Sequence, residues 1–178
     1  DNPEQCGLVM DGIRDPAKLE RLTRHVAPTR HEFTRREALR TLPFWVFSLS
    51  AGVQSLVMTA VAFHIAAIGA ERGMSNAESF SVFLPTAFFA VPTTLIGGWV
   101  SDRVRLKWLL IVMLSAQALA LTGLLQLEAP LGRGLFTAGY GVSGGLFGLL
   151  ITVTWPRYYG RLHLGAISGV NTSVLVFS

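Results

Sequence analysis

Charge is scarce in this 178-residue chain, and cysteine is almost absent. Only 15% of residues are Asp, Glu, Lys or Arg, while 51% are hydrophobic; soluble domains carry about 25% charged residues. The scarcity is local, because residues 79–101 and 108–127 contain no charged side chain at all. The single cysteine, Cys6, excludes an intrachain disulfide and any cysteine-based metal site. The four histidines, His25, His31, His64 and His163, are scattered without metal-ligand spacing, so no metal is expected. No acid lies within an apolar run to complete a Ser–His–acid triad. The glycines of residues 139–148 lack the Lys-Ser/Thr of a phosphate loop. Neither an enzyme nor a cofactor is expected. The net charge of +4 invites a nucleic-acid reading, but no basic stripe with interleaved aromatics occurs, so no nucleic-acid partner is expected.

What remains is a polar leader followed by apolar blocks. Residues 1–42 hold 8 of the 15 Lys+Arg and 7 of the 11 Asp+Glu. Asn2-Pro3-Glu4 and Asp11-Gly12 are turn signals, and Ala17–Val26 reads as a short helix with Leu19 and Leu22 on one side. Phe33–Arg40 reads as an amphipathic lead-in on the membrane surface, with Arg35, Arg36 and Arg40 toward lipid headgroups. Residues 1–42 are therefore expected to be a cytoplasmic loop, and residues 43–178 a transmembrane unit. The polar opening, and a last apolar run that stops at Ser178 without a flanking charge, lead us to expect a piece of a longer protein.

The blocks predict an all-α membrane protein, a polytopic helix bundle. A helix needs about 20 apolar residues to cross a hydrocarbon core of about 30 Å. Five spans are begun: Pro43–Gly69, Ser79–Val100, Trp108–Leu127, Gly134–Trp155, and one from Leu164 onward. Pro43 suits a helix start, and Ser75 or Asn76 can cap the second span. Pro85 and Pro92 lie inside that span, with Thr86, Thr93 and Thr94 available for the backbone groups they leave unpaired. Glu128–Gly132 is a predicted turn around Pro130, and Arg157–His163 a predicted basic loop. In the fourth span, Gly141/Gly145 and Gly144/Gly148 are small-xxx-small pairs that admit a close helix neighbour.

Orientation follows from charge. Arg103, Arg105 and Lys107 lie in one turn, Arg157 and Arg161 in another, and three arginines in the lead-in. The opposite turns have Arg72 and Arg133, each near a glutamate. The positive-inside rule puts the first set in the cytoplasm. Trp45, Trp99, Trp108 and Trp155 all fall at that end of their spans, where an indole suits the headgroup level.

Polar residues inside spans are the candidate solute path: Gln54, His64, Gln117, Tyr140 and Asn171. Such groups are costly in hydrocarbon unless paired, so each either bonds between helices or faces a ligand. His64 adds a charge that changes near neutral pH, which suits a proton role. The turn after Gly97-Gly98 carries one acid, Asp102, among Arg103, Arg105 and Lys107. That acid can cap a helix N-terminus or pair with an arginine across a domain interface.

Gly98-Trp99-Val100-Ser101-Asp102-Arg103-Val104 resembles the cytoplasmic loop motif of the major facilitator superfamily, Gly-x-Leu-Ala/Ser-Asp-Arg-x-Gly-Arg-Arg. The ending departs, with Arg105 for the second glycine and Leu106 for an arginine; Lys107 keeps the charge. That form is similar to the motif's second copy. Asn2-Pro3-Glu4 with Gly7-Leu8, Phe33-Thr34 with Ala38-Leu39-Arg40, Phe44-Trp45, Phe63-His64 and Tyr159-Gly160-Arg161 resemble the oxalate/formate antiporter or monocarboxylate-transporter-like branch. The resemblance implies a central loop plus helices seven to eleven of twelve. It also implies a secondary transporter working by alternating access at the cell membrane, with Gly98, Asp102, Arg103, Arg105 and Lys107 in a conformational-switch loop. The partners implied are a small-molecule substrate, protons, the lipid bilayer and the N-terminal half of the same carrier. No Lys or Arg lies in the second or fifth span, where an oxalate-type carrier would hold a dianion, so a monocarboxylate or a neutral metabolite is expected. Two other classes stay open: a non-transporting membrane sensor or assembly protein, and a self-contained five-helix channel subunit.

Overall fold

The computed structural model describes residues 31–178. The expected helix Ala17–Val26 and the turns of the leader lie outside the described residues. Among the described residues seven helices follow one another: α1 (Arg35–Ala38), α2 (Leu42–Ala70), α3 (Asn76–Ser81), α4 (Thr86–Ser101), α5 (Leu106–Leu124), α6 (Pro130–Tyr159) and α7 (Leu164–Phe177). Four segments are long and apolar enough to cross a membrane: α2, α3 and α4 taken together as Asn76–Ser101, α5, and α6. α7 is a shorter apolar helix.

Several boundaries differ from expectation for local reasons. Thr34 and Ser75 start α1 and α3 with capping boxes, each hydroxyl accepting from the amide of the glutamate three residues on. The second span is broken. A proline at position 85 cannot supply the amide that would bond Ser81, so the chain tightens. Phe83 N donates to the Phe80 carbonyl at 3.1 Å and Leu84 N to that of Ser81 at 3.2 Å. Pro85 then caps α4. Pro92, on an exposed face, lies inside α4 without ending it. Pro130 does not sit in a turn; it opens α6, where a missing N–H costs nothing. α5 already ends at Leu124, and residues 125–128 turn back. Arg157 belongs to the last turn of α6, leaving Gly160–His163 as the connection to α7.

α6 is the central helix. Its neighbours approach as closely as backbone allows, because glycine removes the side chain between them. A Cβ at Gly139 would lie 2.5 Å from the Ala116 carbonyl oxygen and 2.6 Å from the Ala120 nitrogen of α5. One at Gly141 would lie 2.5 Å from the Thr86 carbonyl oxygen of α4, and one at Gly145 2.6 Å from that of Ala90. Gly97 returns the favour on α4, receiving the Leu146 and Leu149 side chains. The expected partner pair Gly144/Gly148 has no such neighbour. Gly144 meets only the Met58 side chain at an ordinary 3.5 Å, and Gly148 meets nothing among the described residues.

Two apolar clusters fill the bundle. One, toward the basic turns, joins Phe44, Phe47, Met113, Leu150, Trp155 and Ile167. The other joins Val61, Ile65, Ala120, Leu127 and Phe136. Trp155 corrects the expectation for the tryptophans. Trp45, Trp99 and Trp108 are exposed, but Trp155 is buried, with its ring centroid 5.3 Å from that of Phe44. The lead-in likewise turns inward: Ala38 is fully buried and Phe33 meets Tyr159 edge-to-face, while Arg35, Arg36 and Arg40 stay exposed.

Candidate functional site

The turn between α4 and α5 is built from the end of α4 outward. A helix ends with carbonyls that lack amide partners. Here three side chains supply donors. Ser101 Oγ donates to the Gly98 carbonyl at 2.7 Å. Arg103 folds back, donating to the Trp99 carbonyl at 2.8 Å with its guanidinium 3.8 Å over the Trp99 indole. Arg157, from α6, donates to the Ser101 carbonyl. Cations at a helix C-terminus also meet the negative end of its dipole. Lys107 lies 5.4 Å from the Trp108 ring, and Arg105 caps α5 by backbone alone.

Asp102 is different. It ends α4 in a helical backbone conformation, is exposed, and its carboxylate has no hydrogen bond or ion pair among the described residues. It does not cap α5. The arginines that could have paired with it are turned toward backbone carbonyls. Of the adjacent glycines, an added Cβ at Gly98 meets nothing within 4 Å, whereas one at Gly97 would meet the Leu149 and Leu146 side chains.

The solute-path candidates do not converge on this turn, nor all on one another. Gln117 Nε2 reaches the Val53 carbonyl of α2 at 3.5 Å, next to Gln54. Tyr140 donates from α6 to the Met58 carbonyl at 3.2 Å. These two therefore tie helices together. Gln54 and Asn171 are buried at 1% and 3% exposure, and their side-chain oxygens have no partner among the described residues. His64 is exposed on the outside of the bundle.

Sequence reasoning missed three further buried polar groups that have no partner among the described residues: Ser48 Oγ, Thr154 Oγ1 and Trp155 Nε1. Ser48 lies one turn beyond Phe44 on α2, and Asn171 one turn beyond Ile167 on α7; Phe44 and Ile167 share the same cluster. At the next level Gly52 faces Val174. Ser48 and Asn171 thus occupy one layer of the α2–α7 contact. Serine and threonine are common in membrane helices, so composition alone gave no signal for them. The sequence places Arg157 in a predicted basic loop, whereas it lies in the last turn of α6, where a basic side chain can reach unpaired carbonyls.

Between α4 and α6 an open groove is lined by Ala90, Val91, Thr94, Leu95, Gly144 and Gly145. Thr94 bridges its floor, donating to the Ala90 carbonyl at 3.0 Å and the Gly145 carbonyl at 3.2 Å. No ionisable side chain lines it. At the far end Arg72 links two turns, donating to Glu128 at 2.7 Å and to the Leu125 carbonyl. The Glu128 carboxyl is held below the usual carboxylate value by its own backbone amide and then by Arg72. Among the described residues no three His, Cys, Asp or Glu side chains gather as a metal site would need.

Compared with models of known families, the chain matches the Major Facilitator Superfamily over residues 11–178. No curated protein and no solved structure matches it.

Proposed function

The chain belongs to the Major Facilitator Superfamily, an integral-membrane transporter family, and from that premise we propose a secondary carrier for a small organic anion of the monocarboxylate kind. It works at the cell membrane by alternating access, together with an N-terminal half of the same protein. The observation that carries this reading is a contrast inside the bundle. The interior is filled by two apolar clusters and crossed by the Gln117–Val53 and Tyr140–Met58 hydrogen bonds. That filling leaves no lumen for a pore through these helices, and it favours a carrier over a five-helix channel. The groove between α4 and α6 is open, small-residue and uncharged. A solute passing across such a surface meets an apolar lining without a pair of cations, which fits a singly charged or neutral solute better than a dianion. The branch resemblance supplies the carboxylate, and charge compensation falls to the other half.

The turn at Gly98, Asp102, Arg103, Arg105 and Lys107 is the switch in this reading. Its free carboxylate is able to take a cationic or helix-N-terminal partner in one state only. His64, on the outer surface, is the candidate for proton coupling.

Uptake by the full-length protein in vesicles tests the proposal. Labelled lactate and formate are expected to accumulate, and labelled oxalate not. Oxalate uptake without lactate uptake would overturn the substrate class. Lactate that stabilises the protein against heat but never accumulates would favour a sensor. An uptake pH profile unchanged in His64→Ala removes His64 from proton coupling.

A further inference from the structure

The segment before α2 is fastened to the far end of the sequence by a set of contacts that the transport reading does not use. Glu32 places its carboxylate at the α6–α7 connection, where Oε2 accepts from the Leu162 amide at 2.9 Å. Phe33 N donates to the Tyr159 carbonyl at 3.1 Å, and the Phe33 ring stands edge-on to Tyr159 at 5.4 Å. Thr41 Oγ1 and Tyr159 OH share a hydrogen bond of 2.6 Å. Between these ties Ala38 is fully buried.

Gly160 explains why the carboxylate fits. Its φ of 82° lies in the left-handed region, and a Cβ there would fall 2.6 Å from Glu32 Cδ. Any side chain at 160 would occupy the place where the carboxylate sits. The start of α7 explains what the carboxylate does. His163 caps α7 without a side-chain hydrogen bond, so the first turn has no anion of its own. Helix N-termini favour negative charge, and Glu32, 130 positions earlier in the chain, brings a carboxylate to the residue just before the His163 cap by accepting from the Leu162 amide.

We propose that residues 32–41 form a strap that fastens the start of α7 to the ends of α2 and α6, with Gly160 as the seat of the Glu32 carboxylate. The strap makes these three helix ends one mechanical unit, while α4 and α5 are outside it. A change of state that moves α7 must then carry the beginning of α2 with it.

Hydrogen exchange on the full-length protein in lipid nanodiscs tests this. Glu32→Ala and Gly160→Ala are each expected to speed exchange at Leu162 about tenfold or more, the size of a lost charge-assisted hydrogen bond. The double variant is expected to go no faster than the faster single one, because both break the same contact. Unchanged exchange in Glu32→Ala, or single effects that multiply, would overturn the strap. Gly160→Ala strains the backbone, so a second measurement stands apart from it. With Cys6→Ser, the pair Glu32→Cys and Leu162→Cys is expected to be joined by a short bis-maleimide. No cross-link, where N-ethylmaleimide labels each cysteine alone, overturns the proposal too.

Discussion

The two sides of the bundle are held by different physics. Where α6 meets α4 and α5, backbone touches backbone, and glycines at 139, 141 and 145 make the fit. Where α2 meets α7, side chains fill the contact, and polar atoms of Ser48 and Asn171 are buried without partners among the described residues. A backbone seam has one register at which it fits, because the atoms involved cannot rotate away. A side-chain contact with unspent hydrogen-bonding capacity has alternatives. The first is a rigid seam along its length; the second, pinned by residues 32–41 where both helices begin, has freedom to repack only beyond that end.

The glycine seam should fail first. Gly139→Ala is expected to cost about 3 kcal/mol, at the upper end for overpacking, because the atoms it meets are backbone. Gly145→Ala should cost nearly as much, and Gly148→Ala should stay within about 0.5 kcal/mol of the parent. Thermal unfolding of the detergent-solubilised protein measures all three. Equal effects at 145 and 148 would break the distinction between the faces of α6.

On the other side the sign reverses. Gln54→Leu and Asn171→Leu remove buried groups that have nothing to bond among the described residues, so stability is expected to hold or rise by up to about 1 kcal/mol. A loss beyond about 2 kcal/mol would reveal partners supplied by other parts of the carrier. Asp102→Asn sharpens the comparison at the turn. Its carboxylate has no partner among the described residues, so unfolding should be unchanged while lactate uptake slows. Arg157→Ala should instead cost about 0.5–1 kcal/mol, as loss of a cation at the end of α4.

The smallest effect is set by acid. Glu37 and Glu128 are exposed and held below their ordinary value of 4.5. For Glu37 the main cause is the Thr34 backbone amide; for Glu128 it is its own amide and then Arg72. Carboxyls lowered by folding add stability above their unfolded value and lose it as pH falls through the folded one. The α1 cap and the Arg72 link should therefore loosen only below about pH 4.5. Hydrogen exchange at Thr34 and Glu128 across pH 3 to 6 reads this directly, and loosening near pH 6 would contradict it.

Much of the architecture was legible because hydrocarbon leaves few choices. Runs without charge had to be helices, and Ser75 or Asn76 stood as a helix cap, of which the structure takes Ser75. Less legible was whatever depends on a neighbour far away in the chain. Glycines at 141, 144, 145 and 148 look alike as spacing, yet the pair at 141 and 145 is the one pressed against the backbone of α4. Pro85 and Pro92 look alike too, and one interrupts the span while the other does not. Trp155 has the position of an interface tryptophan, but Phe44 and Tyr159 enclose it. Arg157 finds its acceptor 56 residues back. The solute path was the least legible part. Polar residues in spans mark both helix ties and ligand contacts, and Gln117 and Tyr140 prove to be bonded to α2.

The break at Pro85 has a consequence for the membrane itself. α4 alone is about 24 Å long and α2 about 44 Å, at 1.5 Å per residue. A hydrocarbon core of about 30 Å is longer than the first and shorter than the second. α2 adapts by tilting, but α4 reaches the far interface only through its bent extension in α3. Each added ångström of bilayer thickness therefore pulls the tight turn at 82–85 deeper into lipid, at a cost of a fraction of a kcal/mol. The second span is thus the thickness-sensitive part of the bundle, and longer acyl chains are expected to lower the unfolding temperature of the protein in vesicles.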